Sequence, residues 1–132
     1  MKISEEKIKE LIDEAILARE NAYTPYSNFK VGALVIDEKG NHHMGCNVEN
    51  GSFGLTNCGE RTAIFNGISK GMKNIEIIVV VADTTGPVSP CGACRQVIKE
   101  FSTENTTIIL ANLKKDYKIM TMEELLPYGF QL

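Results

Sequence analysis

Nowhere in this chain do lysines and arginines gather into a basic patch, and its 132 residues carry a formal net charge of −3. Tight binding along a phosphate backbone needs several cations on one face, so no nucleic-acid partner is expected. Long apolar runs are missing as well. The longest, Ile77 to Ala82, falls far short of the roughly 20 residues that a membrane span requires, which excludes a membrane partner. The first ten residues hold acids where a secretory signal would hold an apolar core. Internal repeats, low-complexity tracts and linkers are also lacking. A hydrophobic content of 43% over this length suffices for one well-packed core and is too little for two, so residues 1–132 are expected to form a single soluble, cytoplasmic domain. Cysteines number only 4, and in a reducing compartment they serve as metal ligands or core residues more often than as a disulfide framework.

What is present alternates between helix and strand patterns. Ser4 reads as an N-cap with Glu5 and Glu6 in the first turn, followed by a stripe of Ile8, Leu11, Ile12, Ala15 and Ile16. Beyond a loop containing Tyr23, Pro25 and Tyr26, the run Val31 to Ile36 predicts a strand, Asp37 to Asn41 a turn, and His42 to Val48 its antiparallel partner. Residues 58 to 70 have helical spacing and Gly71 stands at a left-handed cap position. Ile75 to Ala82 lacks polar alternation and predicts a central strand buried on both faces. A third helix around Cys94, Val97, Ile98 and Phe101 leads to strands at Thr107 to Ala111 and Tyr117 to Met120, and Thr121 to Glu124 has capping-box form. The order predicts an α/β fold, a three-layer α/β/α domain with a mixed five-stranded sheet.

Three cysteines and a glutamate carry the chemistry. Cys91 and Cys94 are three apart, so at a helix entry both sulfurs lie on one face within reach of one ion. Cys58 and Glu60, two apart, serve the same site only if Cys58 sits at the helix mouth. Two helix N-termini would then favour thiolate over thiol. Three thiolates around one zinc ion leave a fourth position free, and Glu60 beside it would be a carboxylate that is not a ligand. Excess negative charge in such a site needs an offset, and Arg61 is placed to donate hydrogen bonds to ligand sulfurs. A closed structural zinc site normally uses four protein ligands, which argues against a structural or redox Cys-x-x-Cys module. Cys46 reads as a small core residue, and His42 and His43, adjacent on a strand, point to opposite faces and read as surface residues.

Cys58-x-Glu60 followed by Pro90-Cys91-x-x-Cys94 resembles the signature of zinc nucleobase deaminases. With Tyr26-Ser27-Asn28-Phe29-Lys30-Val31-Gly32-Ala33, Gly45 to Asn50, Cys58 to Thr62, Ser89 to Gln96 and Glu124 to Pro127, the chain resembles the small homotetrameric zinc-dependent cytidine deaminases over nearly its whole length. The resemblance implies one zinc per chain on Cys58, Cys91 and Cys94, with Glu60 shuttling protons. It implies that Phe29 packs against the pyrimidine, that Asn47 and Glu49 hold a ribose hydroxyl, and that the Gly59 N–H binds the pyrimidine carbonyl oxygen. Phe130 would reach a neighbouring subunit's active site in a homotetramer. The implied activity is hydrolytic deamination of cytidine and deoxycytidine in pyrimidine salvage, and like-charge repulsion between Glu49 and a 5′-phosphate predicts nucleosides over nucleotides. A deaminase of another aminopyrimidine compound, such as the blasticidin type, is the alternative that Phe29, Asn47 and Glu49 disfavour. Two positions depart from the family pattern: Gly59, where Ala is usual, and Phe53, where Tyr is common.

Overall fold

In the computed structural model, which describes residues 3–132, the Ser4 hydroxyl accepts a hydrogen bond from the Lys7 N–H at 3.1 Å and opens helix α1 (Glu5–Arg19) as its sequence predicts. The chain continues through β1 (Val31–Asp37), β2 (His42–Cys46), a short 3₁₀ turn (Phe53–Leu55), α2 (Gly59–Ser69), β3 (Ile75–Ala82), α3 (Gly92–Phe101), β4 (Ser102–Asn112), β5 (Tyr117–Met120) and α4 (Met122–Leu125). The sheet order is β2-β1-β3-β4-β5. Only the β3–β4 pair is parallel, so the sheet is mixed as expected.

Strand β3 shows why the layers are three. Its Ile78, Val80 and Ala82 join Ala63 and Ile64 of α2, Ile98 of α3 and Leu125 of α4 in one buried cluster. The alternate residues Ile77, Val79 and Val81 join Ile8, Leu11, Ile12 and Ala15 of α1 in the other. A strand buried on both faces needs no polar alternation, which explains its apolar run. Two glycines let the helices seat against the β1–β2 hairpin. A Cβ on Gly32 would lie 2.1 Å from the Ala15 carbonyl oxygen, and one on Gly45 would lie 2.2 Å from the Ala63 nitrogen. Gly71 has φ +99° and stops α2, as its position predicts.

Several boundaries differ from expectation for identifiable reasons. Strand β4 begins at Ser102, directly from α3, not at Thr107. Threonines make the early part irregular: the Thr106 hydroxyl donates to the Ile75 carbonyl and accepts from the Thr103 N–H, while the register shifts between Ile75 and Ile77. Strand β2 ends at Cys46, and Val48 forms isolated bridges to Tyr23 and Asn57 instead of extending it. Cys46 is half-buried, at the edge of the core rather than inside it. His42 is exposed beside Glu14, but His43 corrects the surface reading. It is only 4% exposed, turned toward α2, with Nε2 2.8 Å from the Asp37 carboxylate. The alternation of β2 put the two histidines on opposite faces, and the second face is core.

Candidate active site

The site forms where the C-terminal end of β3 meets the start of β1, because both metal-ligand helices begin there. Cys58 is the N-cap of α2 with extended backbone, Cys91 is the N-cap of α3, and Cys94 lies in the first turn of α3. The Cys94 N–H donates to the Cys91 sulfur at 3.4 Å, so one thiol caps the helix that carries the other. Cys58 Sγ and Cys91 Sγ are 4.0 Å apart, and the three sulfurs all lie within 4.8 Å of one another. A tetrahedral zinc with Zn–S near 2.3 Å needs sulfurs about 3.8 Å apart. Small side-chain adjustments close that difference, and the soft donor set suits zinc. The three sulfurs therefore fit one ion.

Charge in the cluster is arranged accordingly. Arg61 Nη2 donates to Cys58 Sγ at 3.1 Å. A hydrogen bond from the Cys94 thiol, opposed by burial and aided by the Arg61 bond and charge, brings the Cys58 thiol down to about 5. The Cys94 thiol is pushed up, first by that same bond to Cys58 and then by its own burial. The guanidinium of Arg61 holds its proton more tightly, chiefly through its bond to Cys58. A divalent cation entering the cluster would displace the shared protons, which couples metal affinity to pH.

Glu60, the second residue of α2, is 4% exposed. Burial raises its carboxyl above the usual range, and the nearby Cys58 charge adds to the effect. Such a group is poised to hold and release protons. It lines a pocket of about 270 Å³ together with Phe29, Asn47, Glu49, Cys58, Gly59 and Cys91. That volume is at the small end of ligand pockets, which commonly span about 300–1,000 Å³. As the first residue of α2, Gly59 has an N–H without an intrahelical partner. Asn47 and Glu49 both reach the pocket, though from a bridged loop rather than a strand. Phe130 is 65% exposed and is not among the residues lining this pocket.

Some contributors escaped sequence reasoning. Val88 supplies an apolar wall, and Ser27 and Thr56 line the pocket beside Glu49 and Asn47. Val88 follows the Gly86-Pro87 break and reads only as loop. Arg95, whose place in the Ser89 to Gln96 stretch announces no role, braces the Cys91 loop. It donates to the Pro90 carbonyl at 2.9 Å, the Ser89 hydroxyl at 2.6 Å and the Leu125 carbonyl at 2.6 Å. Phe53 is 75% exposed and meets Tyr26 edge-on, ring centroids 5.8 Å apart.

The model of the cytidine and deoxycytidylate deaminase zinc-binding region matches residues 5–110, which include every cysteine of the cluster and Glu60. The chain belongs to this deaminase family. A cytidine deaminase of Sporosarcina psychrophila is 50% identical over 123 residues, spanning 93% of this chain and 90% of that protein. One from Halalkalibacterium halodurans is 52% identical over 120 residues, 91% of each chain. The crystal structure of cytidine deaminase from Burkholderia pseudomallei has a TM-score of 0.90 at 44% identity, covering 97% of this chain and all of that one. As a member of the family, the chain is a zinc-dependent hydrolase, and its fold is that of the cytidine deaminases. Among the described residues, no helix is long and apolar enough to cross a membrane.

Proposed function

We propose that this chain removes the amino group of cytidine and deoxycytidine by hydrolysis, releasing ammonia and leaving uridine and deoxyuridine, and serves pyrimidine salvage in the cytoplasm. The observation that carries the reading is the buried Glu60 carboxyl, set between the three-sulfur cluster and a pocket lined by Phe29, Asn47 and Glu49. Cys58, Cys91 and Cys94 would hold a zinc ion, whose Lewis acidity would make a water molecule nucleophilic near neutral pH. Glu60 would take a proton from that water as general base and deliver it to N3 of the ring as oxygen adds to C4, then take the remaining proton from the C4 hydroxyl and give it to the departing amine. Oxygen remains as the C4 carbonyl and nitrogen leaves as ammonia.

The other residues bind and orient. The Gly59 N–H donates to the pyrimidine carbonyl oxygen, the Phe29 ring packs on the base, and Asn47 with Glu49 holds a sugar hydroxyl. The Ser27 hydroxyl bond, opposed by slight burial and aided by the Ser27 and Tyr26 N–H groups, holds the Glu49 carboxyl below its ordinary range. An ionised Glu49 beside the sugar disfavours a 5′-phosphate, so nucleosides are preferred to nucleotides. Arg61 offsets the charge of the thiolates through its bond to Cys58.

The active form is a homotetramer with sites shared between subunits. Exposed apolar side chains at Phe65, Met44, Val48, Phe53 and Leu55 support an interface, and Phe130, outside its own chain's pocket, is free to complete a neighbour's. A spectrophotometric assay of purified protein with cytidine, deoxycytidine and cytidine monophosphate, with zinc counted per chain and mass by light scattering, tests the whole reading. Turnover of both nucleosides with about one zinc per chain is expected. Full zinc without turnover of either nucleoside would overturn it.

A further inference from the structure

Phe29 is 41% exposed, so core packing alone does not fix its ring. Its backbone is instead held from both sides. The Phe29 N–H donates to Ser27 Oγ at 3.0 Å, and its carbonyl accepts from Asn47 Nδ2 at 2.8 Å. Between Ser27 and Phe29, Asn28 adopts φ 57°, a left-handed conformation that asparagine tolerates better than most residues. The Asn28 N–H returns to the Thr24 carbonyl at 3.1 Å and closes the turn. Ser27 Oγ also donates to Glu49 Oε2, while the Ser27 and Tyr26 N–H groups donate to Glu49 Oε1 at 3.1 and 3.0 Å.

We propose that Ser27 is a positioning residue of the substrate pocket, its hydroxyl tying the carboxylate of Glu49 to the backbone of Phe29 so that one group sets both. The proposal rests on the function argued above. The direction of the bonds is forced by chemistry. An ionised carboxylate only accepts, so the Ser27 proton points to Glu49, and a lone pair of the same oxygen must receive the Phe29 N–H. A carboxylate offers about four acceptor directions, of which Tyr26 and Ser27 occupy three. One is left for a sugar hydroxyl. Removing the Ser27 hydroxyl therefore does two things at once: it leaves the Phe29 N–H unpartnered beneath the base, and it lets Oε2 of Glu49 swing away from the sugar. The hydrogen bonds of Ser27 run to Glu49 and Phe29 and not to Glu60 or a cysteine of the cluster, so proton transfer itself stays intact.

The test compares the zinc-loaded parent with Ser27→Ala and Ser27→Thr on cytidine and on 2′,3′-dideoxycytidine. For Ser27→Ala on cytidine, a KM raised at least tenfold with kcat within about threefold is expected, and Ser27→Thr, which keeps the hydroxyl, should return KM to near the parent value. A merely structural role would lower the active fraction, reducing kcat and sparing KM. On the dideoxynucleoside, which lacks the hydroxyls Glu49 would hold, the factor should shrink to the part acting through Phe29. An unchanged KM in Ser27→Ala, or an equal factor on both substrates, overturns the bridge. Should the alanine chain not fold, the near-isosteric Ser27→Cys, whose thiol is a weak donor, takes its place under the same criteria. Absence of cytidine turnover in the parent would instead overturn the functional reading on which the bridge rests.

Discussion

Replacing Glu60 by Gln tests the proton-shuttle role with the smallest change of shape. The amide fills the same buried space beside the sulfurs, so the helix start and the metal ligands are undisturbed. It even removes a carboxylate that burial disfavours, so the variant is expected to melt no lower than the parent. What it cannot do is take a proton from water and pass it on. General acid–base assistance is typically worth about 10²–10⁴ in rate. Glu60 is asked to assist several transfers in sequence, and at 4% exposure little solvent can stand in for it, which places the loss near the upper figure. Four decades at about 1.36 kcal/mol each correspond to roughly 5 kcal/mol of lost transition-state stabilisation. The assay follows the ultraviolet change as cytidine becomes uridine, with zinc per chain and far-ultraviolet circular dichroism measured on the same sample. A kcat reduced by about four decades, with zinc and fold retained, is expected. A Glu60→Gln chain keeping more than about a tenth of parental kcat at full zinc would refute the reasoning, because the pocket's other carboxylate, Glu49, is tied up by Tyr26 and Ser27.

Arg61→Met removes the 3.1 Å bond to Cys58 and the charge that offsets the thiolates, so zinc affinity measured by chelator competition should fall about 10–100-fold. Asp37→Ala strips the partner of buried His43 and of the Lys39 and Asn41 N–H groups, and urea unfolding should show a loss of about 1–3 kcal/mol. In the parent, burial works to raise the Asp37 carboxyl, but the His43 bond and these N–H donors bring it down to about 2. Its contribution is therefore fully present above its ordinary value of 3.8 and lost as pH falls toward 2, which an acid titration of the fold would follow. Gly45→Ala places a Cβ 2.2 Å from the Ala63 nitrogen and forces α2 off the sheet, so thermal unfolding should show a cost of about 3 kcal/mol or more, with zinc lost alongside.

The metal half of the site was legible in the sequence because its determinants are local. Cys-x-Glu and Cys-x-x-Cys at helix entries fix which side chains share a direction, and the N-cap positions of Cys58 and Cys91 follow from those spacings. The two buried clusters were legible for a similar reason, since β3 announces a two-faced strand by lacking alternation. The hidden parts depend on contacts across the sequence. His43 looked like half of an exposed pair, and only the approach of α2 and Asp37 makes it core. Arg95 reaches Leu125, 30 residues on, and no local pattern announces that bond. Asn47 and Glu49 both line the pocket, yet a bridge through Val48 holds them where a continuing strand was expected.

The two halves of the pocket are built by different physics, and that difference bears on how the chain can vary. The sulfurs and Glu60 ride on helix starts seated in the core, where Ala63, Ile64 and Ile98 are buried. A change in the packing that seats those helix starts disturbs metal, fold and proton transfer together. The residues proposed to face the sugar and base ride on loops held by side-chain hydrogen bonds: the Asn47 amide accepts from the Val31 N–H and donates to the Phe29 carbonyl, and Ser27 donates to Glu49. Such bonds are exchangeable with little effect on the core. Gly59 stands at the seam. A Cβ there would meet the Val31 carbonyl at 3.1 Å and the Asn47 nitrogen at 3.4 Å, linking the first residue of α2 to the loop that carries Asn47 and Glu49. A side chain at this position must push against the substrate half while it stiffens the metal half. The glycine removes that contact, so the loop keeps its own hydrogen-bonded geometry independently of the helix start.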